Sequence, residues 1–296
     1  MVDLMSADFK SILAETVVTV ETALKNMLDT QGNGLMADPM RHAVLNGGKR
    51  LRAFLTIYSS NIFDVPKDAA LQASMAIECL HAYSLVHDDL PCMDDDDLRR
   101  GKPTIHVKWN EATATLTGDA LQALAFEILA KLPNTEAAKI VKLSYSLAQA
   151  SGMQGMVLGQ AQDIDAETSK KLLNLEDITI LQQNKTGALI EWAATAGAIL
   201  AGQDQKPLMD YSKSIGLAFQ IQDDILDIEG DAKVAGKRLQ KDANAGKVTF
   251  VSILGMDKAK LRAKELVEQS IEALEVYGNK ADPMRQVAKF IIHRNL

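Results

Sequence analysis

The sequence predicts an all-α protein, and three observations carry that reading. No convincing run of period-two alternation marks a strand. Apolar residues recur at helical spacing in segment after segment. The seven prolines fall mostly between those segments. In chain order, residues 6–28 place Phe9, Ile12, Leu13, Val17, Val20 and Leu24 at helical spacing. Gly32-Asn33-Gly34 and Asp38-Pro39 punctuate the first gap. Pro66 follows Asp64 and opens a long helix running to about Asp89. Residues 111–131 are rich in Ala and Leu, both good helix formers. Further helices are expected over 135–163, 175–201, 205–229, 257–277 and 284–294, with Pro91, Pro103, Pro133, Pro207 and Pro283 as punctuation. No low-complexity linker or mid-chain shift in composition divides the chain, so residues 1–296 read as one domain. Helices this apolar cannot all lie at the surface, and some must be wrapped by others.

Composition narrows the class of function. The net charge is −7, from 39 acidic against 32 basic residues. That disfavours nucleic acid, whose phosphates select basic faces. Two cysteines, Cys79 and Cys92, make neither a disulfide framework nor a metal-site spacing, and fit a reducing cytoplasm. The first residues carry Asp3, Asp8 and Glu15 and lack the basic start of a signal peptide. No apolar run approaches the roughly 18 residues of a membrane span; the stretch Trp192–Gly202 is too short.

Two acidic clusters carry the chemistry. Residues 87–101 read HDDLPCMDDDDLRRG, with six carboxylates (Asp88, Asp89 and Asp94 to Asp97) inside ten residues and Arg99 and Arg100 directly after. Packed carboxylates repel one another unless a cation compensates them. Mg²⁺ suits them, because it takes a few carboxylates together with waters and phosphate oxygens. The arginines match phosphate groups bidentately. The plainer reading, a solvated acidic loop, is weakened because Asp88 and Asp89 end an apolar helix bearing Met75, Ile77, Leu80 and Val86. An EF-hand is excluded, since the required Gly and terminal Glu are missing. The second cluster lies in FQIQDDILDIEGD, where Asp223 and Asp227 are four residues apart on one helix face and Asp224 sits beside them. Acids embedded among Ile221, Ile225, Leu226 and Ile228 again need a compensating partner.

From Gly47 to about Thr249 the chain resembles the short-chain trans-prenyltransferase family, most closely its bacterial farnesyl-forming members. The matching elements keep the family order: Gly47-Gly48-Lys49-Arg50-Leu51-Arg52, His81, then Asp88, Asp89 and Asp94 with Arg99-Arg100-Gly101. Gly159-Gln160 with Asp163, Lys185-Thr186-Gly187, Phe219-Gln220 with Asp223, Asp224 and Asp227, and lastly Lys237 and Lys247 complete the series. The resemblance implies an isoprenoid-synthase-type bundle of long helices around a central cavity, usually a homodimer. It implies about three Mg²⁺ ions with substrate bound, two held by Asp88 and Asp94 with Asp89 in support, and a third by Asp223 with Asp224 and Asp227 nearby. Arg99, Lys185 and Lys247 would contact an allylic diphosphate, with Lys237 close by. Gly48, Lys49, Arg52, His81 and Arg100 would bind isopentenyl diphosphate. The Lys185 carbonyl, Thr186 and Gln222 would steady the carbocation. The family usually has Gly where Gln240 stands, which leaves the Lys237–Asp242 loop open.

The implied reaction joins isopentenyl diphosphate to dimethylallyl or geranyl diphosphate, giving farnesyl diphosphate (C15). Ser84 lies one helical turn before Asp88, and Tyr83 one residue deeper. An aromatic at Tyr83 would floor the cavity at C15, with Ser84 leaving room above it. Geranylgeranyl- or geranyl-forming synthesis is the nearest alternative. A terpene cyclase is disfavoured by the two intact aspartate motifs, as is a non-catalytic regulatory helical subunit. Plainer readings stand beside several residues: a solvated helix start for Lys49, Arg50 and Arg52, a core histidine for His81, a surface lysine for Lys185, and core packing for Tyr83, Met75, Met93, Met153 and Met156.

Overall fold

Phe9, Val20, Leu24 and Leu28 are buried along one face of the first helix, α1 (Ala7–Asp29), as their spacing predicts. The fold is that of a computed structural model in which residues 7–169, 173–229 and 248–293 are described. Lys237, Lys247 and the loop around Gln240 lie outside the described residues. After α1 come α2 (Ala37–Val44), α3 (Leu51–Ile62), α4 (Lys67–Asp88), α5 (Ile105–Lys108), α6 (Glu111–Ala130), α7 (Ala137–Ser151) and α8 (Met156–Ser169). Then follow α9 (Leu175–Gln182), a π-helical turn (Gln183–Gly187), α10 (Ala188–Ala201), α11 (Lys206–Glu229), α12 (Phe250–Leu254), α13 (Met256–Ala273), a 3₁₀ segment (Glu275–Ala281) and α14 (Asp282–His293). Among the described residues the only strands are β1 (Leu98–Arg99) and β2 (Lys102–Pro103), an antiparallel pair of two residues each.

The wrapped helix is α10. From Leu189 to Leu200 nearly every residue is buried except Glu191. Its backbone meets α3 at Gly197, where a Cβ would lie 2.3 Å from the Ser59 carbonyl carbon. The Ser59 hydroxyl donates to the Ala193 carbonyl oxygen at 3.3 Å across the same contact. On the other side, Trp192 Nε1 donates to the Leu143 carbonyl oxygen of α7 at 3.2 Å. α4 packs along α6, and α11 along α13. Tyr211 of α11 donates its buried hydroxyl to the Met284 carbonyl oxygen of α14 at 2.8 Å. The buried apolar residues form one continuous cluster from Phe9 to Ile291.

Three expectations are corrected. The segment 135–163 is two helices, α7 and α8, with a turn at Gly152–Gly155. A Cβ on Gly155 would lie 2.1 Å from the Ala150 carbonyl oxygen, so the turn needs glycine there. The segment 175–201 is broken by the π turn, a feature that single-residue spacing does not reveal. Met153, expected in the core, is 82% exposed in the α7–α8 turn.

Candidate active site

The first acidic cluster is built where α4 ends. Leu85 accepts from the Asp89 amide at 3.0 Å, closing the helix. The chain then folds back, so that the Asp94 amide donates to the Asp88 carbonyl oxygen at 2.9 Å and the Asp96 amide to that of Asp89 at 3.2 Å. This reversal brings carboxylates separated in sequence onto the helix end. Burial is the main force on Asp88 and pushes its carboxyl up to about 7; Asp94 and Asp89 add to the effect, while Lys185 and Arg99 oppose it. Asp89 is 4% exposed and is also raised, chiefly by burial. Its Oδ1 accepts from Arg99 Nε at 2.9 Å and also from Arg99 Nη2. Arg99 Nη2 reaches Asp96 at 3.4 Å.

Arg100 takes the opposite direction. Its φ of +54° turns the chain between β1 and β2, and its guanidinium donates to the Gly47 carbonyl oxygen. A Cβ on Gly48 would sit 2.7 Å from the Arg100 guanidinium carbon, so glycine at 48 leaves that seat open. Asn46 Nδ2 donates to the Arg99 carbonyl oxygen at 2.9 Å, fixing the hairpin against the start of α3.

Behind these groups is a buried charge network that the sequence did not reveal. Arg50 is 5% exposed, not a solvated helix-start residue. Its Nη1 donates to Glu78 Oε2 at 3.0 Å, and its Nη2 to Glu21 Oε1 at 3.1 Å. Glu78 Oε1 accepts from the Ala53 amide at 3.1 Å, satisfying a donor in the first turn of α3. One turn further along α4, His81 Nε2 is 3.3 Å from Arg52 Nη1. Burial, then Arg52 and the neighbouring arginines, holds His81 well below its ordinary value, so the imidazole is neutral. Arg52 Nε is buried without a hydrogen-bond partner, a donor aimed at nothing in the protein. Lys49 is exposed, with its Nζ 5.3 Å from the Phe290 ring centroid.

Lys185 and Thr186 sit in the π turn. Lys185 Nζ donates to Asp163 Oδ2 of α8 at 2.6 Å. The two elements touch backbone to backbone at Gly159, where a Cβ would fall 2.0 Å from the Lys185 amide nitrogen. π turns recur at functional sites because they disturb the regular ladder and re-aim side chains.

A cavity of about 420 Å³ joins these parts. Arg52, His81, Asp88, Lys185 and Thr186 line its polar part; Tyr83, Ser84, Leu85, His87, Met93, Met156, Val157, Ile164 and Leu189 are among its other walls. Tyr83 is 9% exposed and stands edge-on to His87, with ring centroids 5.0 Å apart. The residues that sequence reasoning missed here are mostly apolar. Val157 and Ile164 carry no motif, and only the position of α8 across the cavity from α4 points to them.

In the second cluster, Asp227 is 9% exposed and Asp223 and Asp224 are half-buried on α11. Asp224 Oδ2 accepts from the Phe250 amide at 2.7 Å and so caps α12. Gln222 is half-buried on the same helix and is not among the residues lining the cavity. Among the described residues no three carboxylate, imidazole or thiol groups form a metal-holding group by themselves. The carboxylates of the two clusters are hard oxygen donors of the kind Mg²⁺ takes, commonly one or two at a time with water and phosphate oxygens completing the shell.

Residues 33–289 match the family described as Polyprenyl synthetase. A farnesyl diphosphate synthase of Escherichia coli (strain K12) is 44% identical over 272 residues, covering 89% of this chain and 90% of that protein. The apo crystal structure of an FPP/GFPP synthase from Zymomonas mobilis superposes with a TM-score of 0.88 at 43% identity, covering 97% of this chain and all (100%) of the other. A geranyltransferase from Helicobacter pylori, solved in complex with magnesium and isoprenyl diphosphate, superposes with a TM-score of 0.80 at 33% identity over 98% of this chain and 97% of that one.

Proposed function

The chain belongs to the polyprenyl synthetase family, and from that premise we propose that it is a Mg²⁺-dependent prenyltransferase making farnesyl diphosphate from isopentenyl diphosphate and dimethylallyl or geranyl diphosphate. The observation that carries the reading is the cavity, which joins Asp88, Lys185, Arg52 and His81 to walls that include Tyr83. A charged head and a hydrocarbon tail find their partners in one space. We read residues 1–296 as a single domain of a cytoplasmic homodimer; no described helix is long and apolar enough to cross a membrane.

The residues divide the work between two diphosphates. Asp88, Asp89 and Asp94 on one side, and Asp223, Asp224 and Asp227 on the other, would hold about three Mg²⁺ ions. When bound, Mg²⁺ supplies positive charge that stabilises a departing diphosphate. Arg99 and Lys185, each already paired with a carboxylate, would grip the allylic diphosphate, with Lys237 and Lys247 as further cations. Gly48, Lys49, Arg52, His81 and Arg100 would take isopentenyl diphosphate. The unpartnered Nε of Arg52 gives that assignment an open donor, and neutral His81 adds a hydrogen bond without another charge. The hard step is breaking the allylic carbon–oxygen bond. Cations placed beforehand around the leaving group lower that barrier. The apolar walls keep water from the carbocation until the isopentenyl alkene attacks it. The Lys185 carbonyl and Thr186, with Gln222 from α11, would steady the cation by their dipoles. The released diphosphate can remove the final proton, so no side-chain base is needed.

Chromatography of the products formed from isopentenyl diphosphate and each allylic primer tests the reading. The expected product is C15 and requires Mg²⁺. Absence of diphosphate release with any C5 or C10 primer would return the chain to a non-catalytic role. Tyr83→Ala is expected to move product to C20 or longer, and Ser84→Phe toward C10. A clean stop at C15 in Tyr83→Ala would place the limit elsewhere.

A further inference from the structure

We propose that Gly118 of α6 sets the depth of the prenyl cavity, by leaving the His87 ring a seat against α6 that a larger residue would close. The inference rests on the reading that this cavity holds the growing chain. Gly118 belongs to none of the charged motifs. It lies buried inside a helix, where glycine costs up to about 1 kcal/mol relative to alanine. Its backbone does not require glycine, for its φ is not in the left-handed region. What requires it is His87. A Cβ on Gly118 would stand 2.1 Å from His87 Nε2 and 2.4 Å from Cδ2.

His87 is the residue before Asp88 and lines the cavity with Tyr83. Its Nε2 donates to the Thr115 carbonyl oxygen at 2.9 Å, because a carbonyl can only accept. Its ring packs edge-on to Tyr83 at an interplanar angle of 81°. The ring is therefore held between α6 and the aromatic expected to floor the cavity. A methyl group at 118 would break the Thr115 hydrogen bond and drive the ring off α6. Away from α6 the half-buried ring meets Tyr83 and the cavity, so its displacement toward either shortens the space left for hydrocarbon. Removing the imidazole instead lengthens it.

Product chromatography on the wild type, Gly118→Ala, His87→Ala and the double variant tests the idea. Gly118→Ala is expected to turn a mainly C15 product into a mainly C10 one. His87→Ala is expected to extend product beyond C15. The double variant is expected to lose the shortening, since the new methyl then has no ring to push. If Gly118→Ala retains the wild-type distribution while Tyr83→Ala shifts it, the role of Gly118 is refuted and the cavity reading stands. If the double variant still makes the shorter product, the route through His87 is wrong. A wild type that makes no C15 product overturns the functional reading itself. Should Gly118→Ala fail to show a cooperative melt, His87→Ala decides alone, and an unchanged product overturns the proposal.

Discussion

Arg99 and Arg100 are neighbours in sequence and point to different chemistry. Arg99 is clasped by Asp89 and Asp96, whereas Arg100 lies over Gly48 and donates to Gly47. Kinetics should separate them accordingly. Arg100→Ala is expected to raise KM for isopentenyl diphosphate with little change in KM for the allylic substrate. Arg99→Ala is expected to lower kcat and disturb the allylic substrate, since charge on that leaving group grows in the transition state. Equal effects of both variants on both substrates would sink the division. His81 makes a prediction about pH. Its folded value is depressed by burial first and by Arg52 next, while in the unfolded chain it titrates near 6.5. Below that pH the unfolded state binds the extra proton, so stability falls as pH falls. The contribution is at most about 1.4 kcal/mol per pH unit. Denaturant melts of the wild type and His81→Gln between pH 5 and 8 check this: the variant should lose less stability on acidification, and parallel curves would show that His81 is not the source.

At the scale of elements, the contact of α8 with the π turn positions Lys185. Gly159→Ala would place a methyl 2.0 Å from the Lys185 amide nitrogen. Overpacking of this kind costs about 1–3 kcal/mol, and a displaced substrate-gripping group about 10²-fold in rate. The control is Gly197→Ala, where a Cβ would meet Ser59 at 2.3 Å on the α3–α10 contact. Both variants should melt earlier, but turnover per folded molecule should fall only in Gly159→Ala. Equal turnover losses would mean that the π turn holds nothing special. The same comparison shows what a sequence can disclose. Asp88 and Asp223 stand out because charge in an apolar helix is conspicuous and demands a partner, whereas Arg52 and Lys185 are singled out only by the family resemblance. Long helices such as α4 and α11 are legible from their periodicity, within a residue or two at the ends. Arg50 paired with Glu78, or Gly118 beneath His87, is fixed by how two helices approach one another, which the periodicity of neither helix encodes. The π turn is hidden for a different reason: its residues, Gln183–Gly187, include the weak helix formers Asn184, Thr186 and Gly187, but such a composition does not distinguish a π turn from a loop or an α turn.

For the whole molecule, the two acidic clusters hold like charges near one another in the ligand-free state. A ligand that binds only the folded chain stabilises it by about 2.7 kcal/mol at a hundredfold excess over Kd. Mg²⁺ added together with pyrophosphate should therefore raise Tm by several degrees, and EDTA should reverse the gain. Either addition alone should do less, because Mg²⁺ draws part of its shell from phosphate oxygens. A Tm indifferent to the pair would count against joint binding at the clusters.

The π turn also acts on the helix that follows it. An i→i+5 turn takes in one residue more than the α turn it replaces, and one residue of α-helix corresponds to about 100° of rotation about the axis. The insertion thus works as a phase shifter, choosing which side of α10 faces inward. Deleting a single residue between 183 and 187 would do more than shorten a loop. It would wind α9 and α10 into one unbroken cylinder and turn Trp192 away from the Leu143 carbonyl that now receives its indole hydrogen. Gly197 would swing off the Ser59 backbone it was small enough to meet. A one-residue deletion within these five residues is therefore expected to lower Tm more than one in the α7–α8 turn, which melts of the two deletion variants would check.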